Sequence, residues 1–478
     1  LKPVPRWPKR VPMHMRAMLL LAVVWLLQAV LPAVAESFTF QGESIPGSGN
    51  LDGWYIFRAY NPEAAKDSGN QLAQTTAELE VGAIAADDAA ALKYTSLEAT
   101  IMDYAQFKRM NPSTLCAKNK FAGPRSIKEK ATFPVKIVKD AKKKPAMRKV
   151  ILNHTGPDTK YIFFLTNCGT LNDAKIKAVG SVKVKNAYGF LPPEQYHMLA
   201  PLCLFALVYV GLAAVWIAYG VSKHAQFYDL HYWLTGLALL CIGELGVKVY
   251  ALEKWNSSSD PEPWMSIATT LFAMKWVCLY CLAIYISTGI YDMDDIGAER
   301  QGGFKLWACT FLGSCTYALF LTVREFVRLE RDGLNIVTSL VLGFNAPVIL
   351  MDVCVAVLVI LQIQKQHTAS EEKTDINRSL VFSRLFYLSL GCVSFSAAAL
   401  CVELTDIMEV ITLGWKVRWL PREGASHLVS LAAVAGTMVI LRPGMVDRAN
   451  DYGQVKPNDT GEVPAPETVG RPDDLEEM

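Results

Sequence analysis

Seven apolar stretches crowd the chain between residues 198 and 441. A helix needs about 20 mostly apolar residues to span the hydrocarbon core of a bilayer. Met198–Val221, Leu230–Ala251, Trp264–Ile290, Phe304–Val323, Leu334–Leu361, Ser379–Thr412 and His427–Leu441 all reach or approach that length. The last is short, and the sixth is long enough to tilt or break. A polar segment precedes them, and an apolar run near the N-terminus precedes that. The expected order is therefore a signal peptide at 1–35, an ectodomain at 36–197, a seven-transmembrane-helix bundle at 198–441 and a tail at 442–478.

The N-terminal run has the layout of a secretory signal. Arg6, Lys9, Arg10 and Arg16 stand ahead of the apolar Ala17–Val30, and Ala33-Val34-Ala35 supplies the small residues of a cleavage site. Cleavage is expected after Ala35. The chain opens with Leu1, and Met13, Met15 and Met18 are candidate initiators.

Averaged over both halves, a formal charge of +2 says little about partners. Residues 36–197 alone carry 22 Lys+Arg against 16 Asp+Glu, and about half of the cations fall between Lys118 and Lys149. Only Glu129 and Asp140 oppose them there. Such a run is a solvated loop, or a surface for anionic phospholipid headgroups or an acidic partner. Its aromatics do not interleave with the cations in a nucleic-acid pattern, and a luminal address would exclude one, so no nucleic-acid partner is expected.

Of 11 cysteines, only Cys116 and Cys168 lie in the ectodomain. An oxidising compartment makes a disulfide between them the expectation, which on the chain-entropy account would stabilise the domain by roughly 3–5 kcal/mol. Cys278 and Cys281 form a CxxC inside the third apolar stretch, with no second pair, and read as packing rather than zinc or redox chemistry.

With the ectodomain in the lumen, seven crossings place the tail in the cytosol. Lysine and arginine in the connecting loops do not decide the orientation, because the two sides are nearly balanced. Glycosylation acceptors at Asn153 and Asn256 agree with the luminal assignment, and Asn458 is expected to stay unmodified. Trp54–Ala59, Leu97–Met102, Phe133–Val138, Lys149–Leu152, Tyr161–Thr166 and Lys175–Val184 read as short strands with alternating polarity. Together they predict a luminal antiparallel β-sandwich. The Ala-rich Gln74–Leu92 is expected to be helical or loose. The tail, rich in Pro, Gly, Asp and Glu, is expected to be disordered, and Tyr452 to Val455 fits a tyrosine-based sorting signal.

Ionisable groups inside apolar stretches are costly and mark a pair, a cavity or a pathway. Glu244 and Lys248 stand one turn apart in the second stretch, Lys275 is in the third and Asp352 in the fifth. Glu403 and Asp406 lie toward the end of the sixth. Glu244 and Lys275 have similar depth, so an interhelical ion pair is feasible. Alternatively these residues line a polar cavity for a lipid headgroup, a client segment or cations. His231 and His427, at stretch ends, read as interfacial rings. There is no His-Glu-x-x-His, no Gly-x-Ser-x-Gly and no phosphate loop, so neither an enzyme nor a cofactor is expected.

Asn186-Ala187-Tyr188-Gly189-Phe190-Leu191-Pro192, leading into the first helix, resembles the corresponding segment of the lung seven-transmembrane receptor family, part of the GOST group. Val208-Tyr209-Val210 with Trp216, Glu244 with Tyr250, Lys275, Trp415, Trp419 and Arg442-Pro443 extend the resemblance over residues ~36–452. Asp292, Asp294 and Asp295 depart from it, standing where relatives carry a basic residue. The resemblance implies a GOLD-like luminal domain, residence in the Golgi membrane with cycling through endosomes, and support of membrane-protein trafficking. Luminal or membrane protein clients and membrane phospholipid are the implied partners. Cation conduction and an orphan-receptor role are the alternatives. The third helix lacks Asp-Arg-Tyr, and the seventh lacks Asn-Pro-x-x-Tyr.

Overall fold

The structure is a computed structural model. It describes residues 38–45, 56–57, 75–85, 94–103, 116–117, 120–121, 129–138, 147–154, 161–166, 176–185, 188–223, 229–258, 262–288, 310, 312–325, 338–372, 376–408, 410–411 and 413–442. The expected signal peptide, Cys168, Tyr452, Val455 and the tail beyond residue 442 lie outside these residues.

The first half is β. Its strands are β1 (Phe38–Ile45), β2 (Ile56–Phe57), β3 (Thr75–Ala85), β4 (Tyr94–Asp103), β5 (Cys116–Ala117), β6 (Lys120–Phe121), β7 (Glu129–Val138), β8 (Arg148–His154), β9 (Tyr161–Thr166) and β10 (Ile176–Lys185). The main sheet runs β1-β10-β3-β7-β4-β9-β2, with β8 also on β3, while β5 and β6 pair apart. Every pairing is antiparallel except a short parallel one, Ala83 and Ile84 against Ile137 and Val138. β8 covers β3 from Thr75 to Val81, and β7 takes over at Ala83. Pro134 pairs with Ser96 of β4 at a point where β3 does not reach, so its missing N–H costs no ladder bond on that side.

β3 corrects an expectation. Gln74–Leu92 is neither helical nor loose over Thr75–Ala85, which lies within the sheet beside β10, β8 and β7. Leu79 and Val81 are fully buried while Glu80 between them is exposed. Two-residue alternation wins over the helix propensity of alanine because it buries both apolar side chains. β4 is covered on both faces: Leu97, Ala99 and Ile101 are buried, and so are Glu98 and Thr100. Asn153 falls in β8, opposite Thr76.

The second half is helical: α1 (Pro193–Ser222), α2 (Asp229–Ser258), α3 (Glu262–Ser287), α4 (312–325), α5 (Thr338–Glu372), α6 (Ile376–Ile407), α7 (Trp415–Trp419) and α8 (Ala425–Ile440). Among the described residues, 6 helices are long and apolar enough to cross a membrane. The chain is thus a multi-pass membrane protein. The expected fourth stretch, Phe304–Val323, overlaps α4, whose described part is too short to be one of the six.

The last span is the main surprise. It does not begin at His427 but runs from Val417 to Ile440, 24 residues, with Trp419 inside its first turn and Trp415 just ahead of it. Pro421 and Gly424 lie within this span. Proline has no N–H to donate, and its ring crowds the carbonyl four residues back. The chain absorbs this by widening one turn, Leu420–Gly424, into a π-helix in which Ala425 N–H donates to Leu420 O. α6 ends at Ile407, short of the expected Thr412, and it is continuous rather than broken.

The two halves meet at a clamp. Phe190 N donates to the Asn256 carbonyl (3.1 Å). Leu191 N donates to Asn256 Oδ1 (3.2 Å), and Asn256 Nδ2 donates to Tyr188 O (2.8 Å). Tyr188 also stacks on Tyr196 of α1, ring centroids 4.1 Å apart. Asn256 therefore belongs to the last turns of α2, not to a loop from Glu253 to Pro263, and the amide nitrogen that a glycan would occupy is already engaged.

Candidate functional site

In α1, Met198, Leu202, Phe205, Tyr209 and Trp216 face inward; in α2, Leu234, Leu237, Cys241, Leu245, Leu252 and Trp255 do so; in α3, Met265, Ala268, Phe272, Leu279, Leu282 and Ile286. All three series step by three, four or seven residues, the seam of closely packed helices. Glu244 falls on the α2 seam and Lys275 on the α3 seam. Both are therefore carried into the bundle by the same periodicity that packs the leucines.

There they pair. Lys275 Nζ donates to Glu244 Oε2 at 3.0 Å, with the two side chains 1% and 0% exposed. A third group, not anticipated, completes the cluster: His427 Nδ1 lies 3.3 Å from Lys275 Nζ and 3.8 Å from Glu244 Oε2. An ammonium can only donate, so Nδ1 accepts and the imidazole proton sits on Nε2. Phe272 lies beneath the lysine, its ring centroid 4.6 Å from Nζ, and Phe205 flanks the imidazole at 5.7 Å. The aromatic face adds a favourable cation–π contact to a buried ammonium.

Lys248 does not pair with Glu244 one turn away. It reaches Glu423 in the π-turn of the last span. This second pair lies beside the first, since Lys248 Nζ is 5.7 Å from the Phe272 ring centroid. With His427 neutral, two cations and two carboxylates balance. From the α1 side, Tyr209 and Ser430 hydroxyls meet at 3.0 Å, and Ser430 Oγ also donates to His427 O.

The remaining predicted residues go elsewhere. Asp352 of α5 accepts from the Tyr280 hydroxyl of α3 at 2.6 Å, with Tyr317 of α4 packed 5.1 Å from the Tyr280 ring. Asp406 closes the bend after α6, accepting from Arg418 Nε (2.7 Å) and Leu413 N (3.2 Å). Glu403 is buried on α6. One polar centre holds Glu244, Lys248 and Lys275; Asp352 and Asp406 belong to two others.

His427 corrects a further expectation: it is a buried ring within the last span and not at its end. His231 is buried near the start of α2, with its Nε2 2.8 Å from Leu441 O. The missed signal was the seam itself. His427, Ser430, Val434, Met438 and Leu441 step by three and four residues, which makes His427 part of a buried face rather than the start of a helix. Cys278 and Cys281 are free thiols on α3 that face neighbouring helices, Cys281 Sγ lying 3.4 Å from Ser314 Oγ.

No protein-family model matches the chain, and no curated protein matches it.

Proposed function

We propose that the protein is a seven-helix membrane protein of the Golgi and endosomes that supports trafficking of other membrane proteins. Its β half is a luminal GOLD-like sandwich that binds a partner, α4 supplies the seventh crossing, and the bundle accommodates phospholipid or a client segment. One observation carries this reading, the clamp at Asn256. It ties the segment leaving β10 to the end of α2, and α2 carries Glu244 and Lys248 into the bundle centre. Binding at the β domain thereby has a direct mechanical route to the bundle, as a client carrier requires. The antiparallel course of α1 and α2 supports placing the β domain and the α2–α3 connection on one side of the membrane. Fold alone does not set activity, so the test is cellular. A tagged copy is expected to reside in the Golgi at steady state. Exclusive residence at the cell surface would overturn the proposal.

Cation conduction is the second reading, motivated by buried Glu244 and Lys275. The balance of charge within the cluster favours the carrier, because a cation pathway gains nothing from two fixed ammonium groups at its centre. Reconstituted protein is expected to pass no current across voltage.

A further inference from the structure

The Glu244–Lys275–His427 cluster is saturated on one side only. Glu244 Oε2 accepts from Lys275, and His427 Nδ1 accepts from the same ammonium. The other atom of each group, Glu244 Oε1 and His427 Nε2, has no hydrogen-bond partner among the described residues, although both residues are 0% exposed. In hydrocarbon surroundings such orphaned atoms are expensive, and proteins routinely satisfy them with an internal molecule.

The chemistry of the two atoms narrows the occupant. Carboxylate Oε1 is an acceptor. His427 Nε2 carries the imidazole proton, since Nδ1 is committed as acceptor to an ammonium, so it is a donor. The occupant must therefore give one hydrogen bond and take another. A metal cation is disfavoured by the N–H and by Lys275 and Lys248; an anion is disfavoured by the lone pairs of Glu244. Phe205 and Phe272 pack against the imidazole, with ring centroids 5.7 and 6.2 Å away, so the groups next to it are otherwise apolar. We propose that the cluster is a built binding site for internal water, donating to Glu244 Oε1 and accepting from His427 Nε2–H. The bundle centre is then a hydrated ion pair rather than a dry one. This holds whether or not the protein carries clients.

The test is a high-resolution map of the full chain in lipid nanodiscs. An isolated density peak within hydrogen-bonding distance of both Glu244 Oε1 and His427 Nε2 is expected. Elongated density running out of the cluster would identify a lipid or sterol hydroxyl and overturn the proposal, as would a protein side chain on both atoms or no density at all. His427→Phe removes the donor, and its map should lose the peak; a peak that persists there would show that His427 does not hold it. Should that variant not fold, the map of the unsubstituted chain still decides.

Discussion

Gly189 and Asn256 approach so closely that a Cβ on the glycine would lie 2.1 Å from Asn256 Oδ1 and 2.6 Å from its carbonyl oxygen. Gly189 also has φ of 133°, where L side chains are strained. The clamp therefore excludes any other residue at 189 for two separate reasons. Gly189→Ala is expected to lower stability by at least about 1–3 kcal/mol, the cost of holding a residue in a sparsely populated backbone region. Thermal denaturation in detergent measures it. Asn256→Ala removes the side-chain half of the same clamp and is expected to lower Tm as well, leaving the Tyr188 carbonyl and Leu191 N–H to find water.

Glycan occupancy follows from the same geometry. Asn153 is expected to carry glycan when the chain is made in a glycosylating host. Asn256 is expected to remain bare, because its Nδ2 is bound to Tyr188 O at the junction. Mass spectrometry of the two tryptic peptides distinguishes them; full occupancy at Asn256 would mean that the clamp opens before the bundle packs.

The Glu244–Lys275 pair makes a sharper prediction. Removing one partner of a buried ion pair typically costs ~3–5 kcal/mol, whereas replacing both with apolar groups is often neutral. Lys275→Ala and Glu244→Ala are each expected to lower Tm strongly, and the double variant should recover much of the loss. A double-mutant cycle with no coupling energy would contradict the pair.

Lys248 provides the internal control. Its partner Glu423 is 24% exposed, against 0% for Glu244. A carboxylate left at the π-turn is less enclosed than Glu244, so Lys248→Met should lower Tm less than Lys275→Met. Equal losses for Lys248→Met and Lys275→Met would show that the two environments do not differ.

Cys116 and Cys168 are expected to resist alkylation in the non-reduced protein and to react after reduction. If both label without reductant, they do not pair.

Much of the architecture was legible in the chain. β9 falls on Tyr161–Thr166 as expected, and β10, Ile176–Lys185, lies within one residue of the expected strand. Five of the seven apolar stretches correspond closely to membrane-length helices, because hydropathy over about 20 residues is a local property. β3 was missed because the helix propensity of alanine is overridden once neighbours on both sides offer hydrogen bonds and buried surface. The last span was read as starting at His427, whereas the helix begins at Val417 and continues through Pro421 and Gly424. Gly424 is required by close packing: a Cβ there would meet the Trp419 ring at 2.6 Å.

Sequence by itself determined which residues had to be explained. Glu244, Lys248 and Lys275 stand in apolar runs, and a charge in hydrocarbon needs a partner wherever the helix is placed. It did not determine who those partners are. Glu244 and Lys248 are neighbours on α2, yet one turns to Lys275 of α3 and the other to Glu423 of the π-turn. His427 enters only because the widened turn lets the last span begin before Pro421 and brings the ring onto a buried face. Partner choice depends on the relative rotation and depth of three helices, the last of them far along the chain from the other two, and those are set by packing of the whole seam rather than by any local run of residues.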